Sequence, residues 1–510
     1  MISKLLLFFL LLPSCALSQP SIEWATAIGG SSADEAHAIQ LAANGDCMAV
    51  GYSTSNNGDF FGKYGAVDIW LTRLDASGNL VWKQNYGGLD DDRAFALKST
   101  LDGGWILAGH TYSNSIDVSG NHGDFDAWVV KLDSLGNIIW QKCLGGSDED
   151  ESWDVVQTPD HGFVVVGTTT SSDGDVTVNY GIDDVWVAKL DATGNLLWQR
   201  SFGGSESDEG RVISNTDDGG FIIAGRTSSV DGHITQTQGG MDFWVVKLNF
   251  EGKKEWDKNY GGTGIDFAED VRQTRDGGYI VAGVTRSSNG HATGSHGLYD
   301  VLVVKTDKDG EVEWTRVLGG NDEDTGRSVI QTRDDGYVVC GMVLSSDGDA
   351  VGNDGGADAW VVKLSPSGEL QWQKSMGGSQ DENLNALIET PEGALILAGR
   401  ARSTNGDVTG VHGSVDYWVV KLGAEMSAAS VPLPLPLELY PNPAQHRIFL
   451  RLPVDALMYI SITDWQGRVL QTASINAHQS LDISALPPGA YVLSATAKSG
   501  QLYVGKFVKE

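Results

Sequence analysis

An all-β fold assembled from seven copies of one four-stranded unit is predicted by three observations. Trp24, Trp82, Trp140, Trp198, Trp256, Trp314 and Trp372 recur every 58 residues, as do the Gly-Gly pairs that begin at Gly29, Gly87, Gly145, Gly203, Gly261, Gly319 and Gly377. Each copy contains short apolar runs separated by Gly, Asp and Asn clusters, the pattern of strands joined by tight turns. The array opens on a segment that matches only the fourth strand of a unit, Ile22–Ile28, and closes on one that matches only the third, Tyr417–Leu422. The opening segment can therefore complete the last unit and leave no unpaired edge.

The first copy sets the reading of the rest. Ala36–Leu41 is the first strand and ends at the turn Asn44-Gly45. Cys47–Ser53 is the second strand, and a long polar loop runs from Ser55 to Val67. Asp68–Leu74 is the third strand, residues 75–79 turn tightly, and Leu80–Tyr86 is the fourth. Four antiparallel strands in a 58-residue period are one propeller blade. The expectation is a seven-bladed β-propeller over residues 19–423.

Repeated positions read as scaffold. Trp70, Trp128, Trp186, Trp244, Trp360 and Trp418 form a second set, replaced by Leu302 in the fifth copy. With the first set they account for thirteen of the 16 tryptophans. Repeat-wide tryptophans are expected to pack between blades. Gly51 and its six equivalents interrupt the second strand, where glycine implies close approach of another backbone. Asp68 and its equivalents open every third strand and are expected to cap loop amides. Arg73, replaced by Lys in the other copies, closes it at the opposite face.

Residues 1–18 carry Lys4, the apolar run Leu5 to Leu12 and Ala16-Leu17-Ser18, the layout of a secretory signal cut before Gln19. Leu12-Pro13-Ser14-Cys15 is a poor lipoprotein box. The apolar run is too short to span a membrane, and no later segment reads as a span. The formal net charge of −32 becomes −33 once Lys4 is removed, which argues against nucleic-acid partners. Cys47, Cys143 and Cys340 occupy non-equivalent positions and read as buried free thiols.

Loops alternate between the two faces of a meander. The loop after the second strand and the link to the next blade share one face, and both are long and acidic, as in Ser171-Ser172-Asp173-Gly174-Asp175 and Gly29 to Glu35. Clustered Asp and Gly make calcium a possible cofactor, although side-chain oxygens satisfying loop amides explain the same pattern.

Function is sought where the copies differ. One varied position, on the first strand, reads His37, Phe95, Trp153, Arg211, Glu269, Arg327 and Asn385. The other, after the strand glycine, reads Tyr52, His110, Thr168, Arg226, Val284, Met342 and Arg400. Hairpin pairing is expected to bring residue 37 close to residue 51 or 52. Since first strands line a propeller channel, the candidate ligand-binding residues at its mouth are His37, Tyr52, Phe95, His110, Trp153, Arg211, Arg226, Glu269, Arg327 and Arg400. Arginine forks suit carboxylate or sulfate, and the aromatics suit sugar rings. The expected function is binding of an extracellular anionic glycan, by a monomer. The alternatives are a polysaccharide-degrading enzyme, a lyase ahead of a hydrolase, or a protein-interaction or adhesion platform.

Beyond Leu422 the repeat stops. Residues 424–436 read as a proline-rich linker. Residues 437–510 alternate as short strands at Arg447–Leu452, Tyr459–Thr463, Val469–Ile475, Tyr491–Ala497 and Leu502–Val508, with turns at Asp464–Gly467, Pro487–Gly489 and Ser499-Gly500. That pattern predicts a small immunoglobulin-like β-sandwich. Leu439-Tyr440-Pro441-Asn442-Pro443, Ile462-Thr463-Asp464-Trp465-Gln466-Gly467, Leu486-Pro487-Pro488-Gly489-Ala490-Tyr491 and Gly505-Lys506-Phe507-Val508-Lys509 resemble the type A C-terminal sorting domain of the type IX (Por) secretion system. The resemblance implies export across a Gram-negative outer membrane, with the type IX machinery and its sortase as partners, and release or attachment at the cell surface. The repeats also resemble secreted propeller repeats with the pattern Asp-x-Trp-x-x-Lys-Leu-Asp-x-x-Gly-Asn-x-x-Trp…Gly-Gly. That likeness implies a fold and no particular chemistry.

Overall fold

The structure is a computed structural model that describes residues 19–353, 355–425, 435–451, 457–463, 469–476, 480–497 and 502–510. The expected signal peptide, most of the linker, and the turns at Asp464–Gly467 and Ser499-Gly500 lie outside the described residues. The chain divides after Glu425 into two compact units. Among the described residues no helix is long and apolar enough to cross a membrane.

Seven four-stranded antiparallel sheets make up the first unit. The first sheet joins Asp34–Leu41, Cys47–Ser53, Asp68–Leu74 and Leu80–Tyr86 in chain order. Three of these strands have the expected bounds, and the first begins two residues early, at Asp34. In the seventh sheet, Glu382–Glu389, Leu395–Ala401 and Asp416–Leu422 are joined by Ile22–Ile28, which pairs antiparallel with Asp416–Leu422. Each first strand touches the first strands of both neighbouring sheets, and Asp34–Leu41 meets Glu382–Glu389, so the circle closes. The arrangement is that of a propeller.

Packing between sheets explains the repeated residues. Met48, Val50, Leu71, Leu97, Leu107, Trp128 and Val130 belong to one buried cluster spanning the first and second sheets, and similar clusters recur around the ring. The outer-strand tryptophans latch one repeat to the next. Trp24 Nε1 donates to Ala76 O at 3.1 Å and Trp140 Nε1 to Ala192 O at 3.1 Å. Their rings lie against turn glycines whose φ is left-handed: a Cβ on Gly194 would come within 2.9 Å of Trp140. Lys131, Lys189, Lys247, Lys305 and Lys363, all buried, pair with Asp102, Asp160, Asp218, Asp276 and Asp334 in the turn after the first strand.

The aspartates that open the third strands cap loop amides. Asp126 accepts His122 N at 3.0 Å, and Asp416 accepts His412 N at 2.8 Å. Cys47, Cys143 and Cys340 are buried and free.

Residues 435–510 form a five-stranded and a three-stranded sheet that share one core, including Ile448, Leu450, Ile460, Ile462, Leu481, Leu493 and Phe507. The sequence reading missed the short strands Leu435–Pro436, Glu438–Tyr440 and Ser480–Asp482.

Candidate functional site at the channel mouth

The varied residue of the first strand occupies a β-bulge in every repeat. Glu35 pairs with Tyr52, Ala36 with Gly51 and Ala38 with Val50, so His37 is the extra residue. The same slip occurs around Phe95, Trp153, Arg211, Glu269, Arg327 and Asn385. A bulge leaves its extra residue outside the ladder and re-aims its side chain.

The expected nearness of residue 37 to residue 52 holds, since His37 stacks on Tyr52, but the ladder partner of Tyr52 is Glu35, because the bulge shifts the pairing by one. A third varied position thereby enters the site, reading Glu35, Arg93, Glu151, Glu209, Phe267, Thr325 and Asn383. Its signal lay in the sequence, inside what read as an acidic link.

Several bulged residues touch their neighbour in the next sheet. The rings of His37 and Phe95 meet edge to face at 5.1 Å, and those of Phe95 and Trp153 stack at 4.2 Å. The Arg211 guanidinium lies 3.9 Å from the Trp153 ring centroid, a cation–π distance. Arg327 pairs with Glu269 at 2.5 Å. Asn385 Nδ2 donates to Glu35 Oε1 at 3.0 Å and to Ala36 O at 2.9 Å, across the closure of the ring. Tyr52 stacks on His37 at 5.4 Å, and His110 meets Phe95 edge-on at 5.4 Å. All ten candidate residues thus fall on the first two strands of the seven sheets. His37, Phe95, Trp153, Arg211, Glu269, Arg327 and Asn385 line one cavity of about 440 Å³.

The four candidate arginines are paired. Arg211 meets Glu209 at 3.0 Å, Arg226 bonds the same carboxylate, Arg327 holds Glu269, and Arg400 meets Glu35 at 3.1 Å. Arg93 differs: its ion-pair partner among the described residues is Asp91, at 4.0 Å. Across the three varied positions five arginines stand beside four glutamates, and Asp91 opposite Arg93 brings the count level.

Burial pushes Glu151 up to about 7, although Arg211 opposes it. Burial would raise Glu35 too, but His37, Arg400, Asn385 and Tyr52 together hold it below the usual carboxylate range. Burial lowers His110 to about 3, aided by Arg93, and lowers His37 against the pull of Glu35. The His110 imidazole is therefore neutral at physiological pH.

One step deeper, two ion pairs face the lumen. Lys98 meets Asp154 at 2.9 Å, and Arg272 Nε meets Asp270 at 3.1 Å. Asp270 also accepts Ser328 Oγ at 2.9 Å and Val329 N at 3.0 Å from the next sheet. The Lys98–Asp154 pair and the bonds of Asp270 to Ser328 and Val329 tie neighbouring repeats together below the mouth.

The acidic loops use their side chains on one another. Asp173 Oδ1 accepts Ser147 N at 2.7 Å and Asp231 Oδ1 accepts Ser205 N at 2.8 Å, each joining a loop to the link of its own face. Among the described residues no three His, Cys, Asp or Glu side chains are grouped to hold a metal ion.

Residues 438–510 match the secretion system C-terminal sorting domain family. A stretch of 285 residues, 50% of the chain, is 23% identical to the regulatory protein FlaEY of Caulobacter vibrioides, and the match spans 30% of that protein. Among solved structures, Sqt1 from Chaetomium thermophilum aligns with 14% identity over 81% of this chain and all of its own (TM-score 0.41). Puromycin hydrolase aligns with 13% identity over 96% of this chain and 63% of its own (TM-score 0.44). The extracellular domain of a one-component system from B. thetaiotaomicron aligns with 10% identity over 92% of this chain and 68% of its own (TM-score 0.29). The C-terminal match assigns the chain to type IX sorting and places it outside the cell or on its surface.

Proposed function

We propose that residues 19–423 form a seven-bladed β-propeller acting as an extracellular binding module, joined by residues 424–436 to an immunoglobulin-like sandwich at 437–510. The ligand is a glycan carrying acidic groups, held at the long-loop mouth of the channel by a monomer. One observation carries the reading: the bulge is kept in all seven sheets, while the residue it presents changes from each sheet to the next, six residue types in seven copies with arginine used twice. A scaffold repeated so closely, with chemistry varied at one presented position, supports a binding surface. The five arginines gathered there support an anionic ligand, and Trp153 and Phe95 supply apolar area beside them. The sorting domain is then an address, recognised by the type IX machinery and its sortase.

A second reading, a polysaccharide lyase, draws on Glu151 and His110, whose carboxyl oxygen and ring Nδ1 lie 3.9 Å apart. A carboxyl near 7 beside a neutral imidazole can move protons at neutral pH. Hydrolysis ranks lower, because Glu35, Glu209 and Glu269 are each committed to arginine.

The test is to incubate the secreted protein with uronate-bearing, sulfated and neutral polysaccharides, following binding and product release together. Binding without products, lost in an Arg211→Ala/Arg327→Ala double variant, supports the first reading. Products lost in His110→Ala support the second. Neither signal leaves the acidic loops as a protein-interaction surface.

A further inference from the structure

Beside the mouth lies a separate cleft of about 470 Å³ between the first three sheets. From its lining we infer a subsite for one uncharged sugar ring, built by Arg93, His110, Tyr112, Phe125, Glu151 and Asp91. The inference rests on the mouth being a glycan site and names the chemistry of one of its units.

The apolar part is an aromatic platform. Tyr112 is 43% exposed although it is a large aromatic on a rigid strand-and-loop scaffold. Phe125 backs it at 5.0 Å and is itself buried. His110 meets Phe125 at 4.9 Å and Phe95 at 5.4 Å, so the cleft adjoins the bulged residues of the mouth. An exposed ring supported from behind suits the C–H face of a pyranose.

The polar part is short of partners. His110 is 7% exposed, and its Nδ1 is buried without a hydrogen bond. The Nε of Arg93 is likewise buried and unbonded, and its guanidinium rests 4.8 Å from the Tyr52 ring centroid with Asp91 at the 4.0 Å limit of an ion pair. The other mouth arginines each have a glutamate within 3.1 Å.

Charge selects the ligand class. Asp90, Asp91 and Glu151 face a single arginine in this cleft. A carboxylate or sulfate meets carboxyl groups on more sides than guanidinium, and an ammonium group meets Arg93. A ring bearing hydroxyls satisfies both, since each hydroxyl accepts from the guanidinium and donates to a carboxylate.

The experiment is saturation-transfer NMR on the full secreted chain, using methyl glycosides of glucose, galactose, mannose and xylose, and sodium glucuronate as the charged comparison. At least one neutral glycoside should give ring-proton transfer, at least tenfold weaker in Tyr112→Ala, retained in Tyr112→Phe and weakened in Arg93→Met. Transfer that survives Tyr112→Ala, or to glucuronate alone, overturns the subsite. Absence of transfer to every neutral glycoside overturns it as well. Acidic polysaccharide binding, measured on the same samples, reports on the mouth: retained binding with no neutral transfer defeats only the subsite, and loss of both defeats the wider reading.

Discussion

The carbonyl oxygen of Glu35 lies 1.9 Å from where a Cβ on Gly51 would sit. The same approach recurs at Arg93 and Gly109, 1.8 Å, and at Glu151 and Gly167, 1.7 Å. The bulge pushes this carbonyl toward the second strand, and only a residue without a side chain admits it. Glycine and bulge are therefore one device, and the bulge presents the residues of the mouth.

Gly167→Ala should then destabilise the protein by about 1–3 kcal/mol, the usual cost of forcing a methyl group into a filled site. It should also weaken ligand binding, because Trp153 shifts with its bulge. Urea unfolding of the variant checks the first effect. A variant as stable as the parent would show that the carbonyl yields without cost.

The strands were legible because a 58-residue period superimposes seven independent samples of each turn and apolar run. Cys47–Ser53, Asp68–Leu74 and Leu80–Tyr86 came out with the expected bounds for that reason. The bulge was not legible, since simple alternation sets residue 37 opposite residue 51 or 52 and one extra residue leaves no mark in composition. Glu35, Glu151 and Glu209 were consequently read as part of an acidic link, although they face the arginines. Asp154 and Asp270 were hidden similarly, among small residues at the same position in other copies.

Deleting residues 19–28 should prevent folding of the ring. Ile22–Ile28 is the fourth strand of the seventh sheet, and Glu23 pairs with Lys421 at 2.9 Å. Its loss exposes the edge of Asp416–Leu422 and uncovers Trp70 and Tyr417 in the closing cluster, which invites edge-to-edge association. Size-exclusion chromatography should find aggregate in place of monomer. A monomeric deletion variant with an unchanged melting temperature would mean that closure does not depend on this strand.

Stability should fall as pH rises toward 8. Burial pushes the Asp92 and Asp184 carboxyls up to about 7, from 3.8 in an unfolded chain, with Asp208 adding to the effect at Asp184. Each contributes stability that is complete below its unfolded value and lost as pH passes through 7. The slope is at most about 1.4 kcal/mol per pH unit for each group. Asp184→Asn should flatten the profile and raise the melting temperature at pH 8 more than at pH 5, since the amide oxygen can still accept from Tyr180 N. Calorimetry from pH 5 to 8.5 decides this, and a melting temperature that climbs with pH would refute it.

Trp153 is the residue whose removal should separate binding from folding. Its ring is held by Phe95 on one side and by Arg211 on the other, and the strand around it is fixed by its own ladder. Trp153→Ala takes away the stacking face and releases Arg211, which keeps its salt bridge to Glu209. Loss of an aromatic–cation contact of this kind costs about 0.5–2 kcal/mol, with a further share from lost contact area. Affinity for an acidic polysaccharide bound by the parent should therefore drop roughly tenfold or more, while the unfolding midpoint moves little. Titration calorimetry and urea unfolding on the same preparation test both halves. Unchanged affinity with a lowered midpoint would make the bulged residues structural spacers of the ring and move the binding surface to the loops above them.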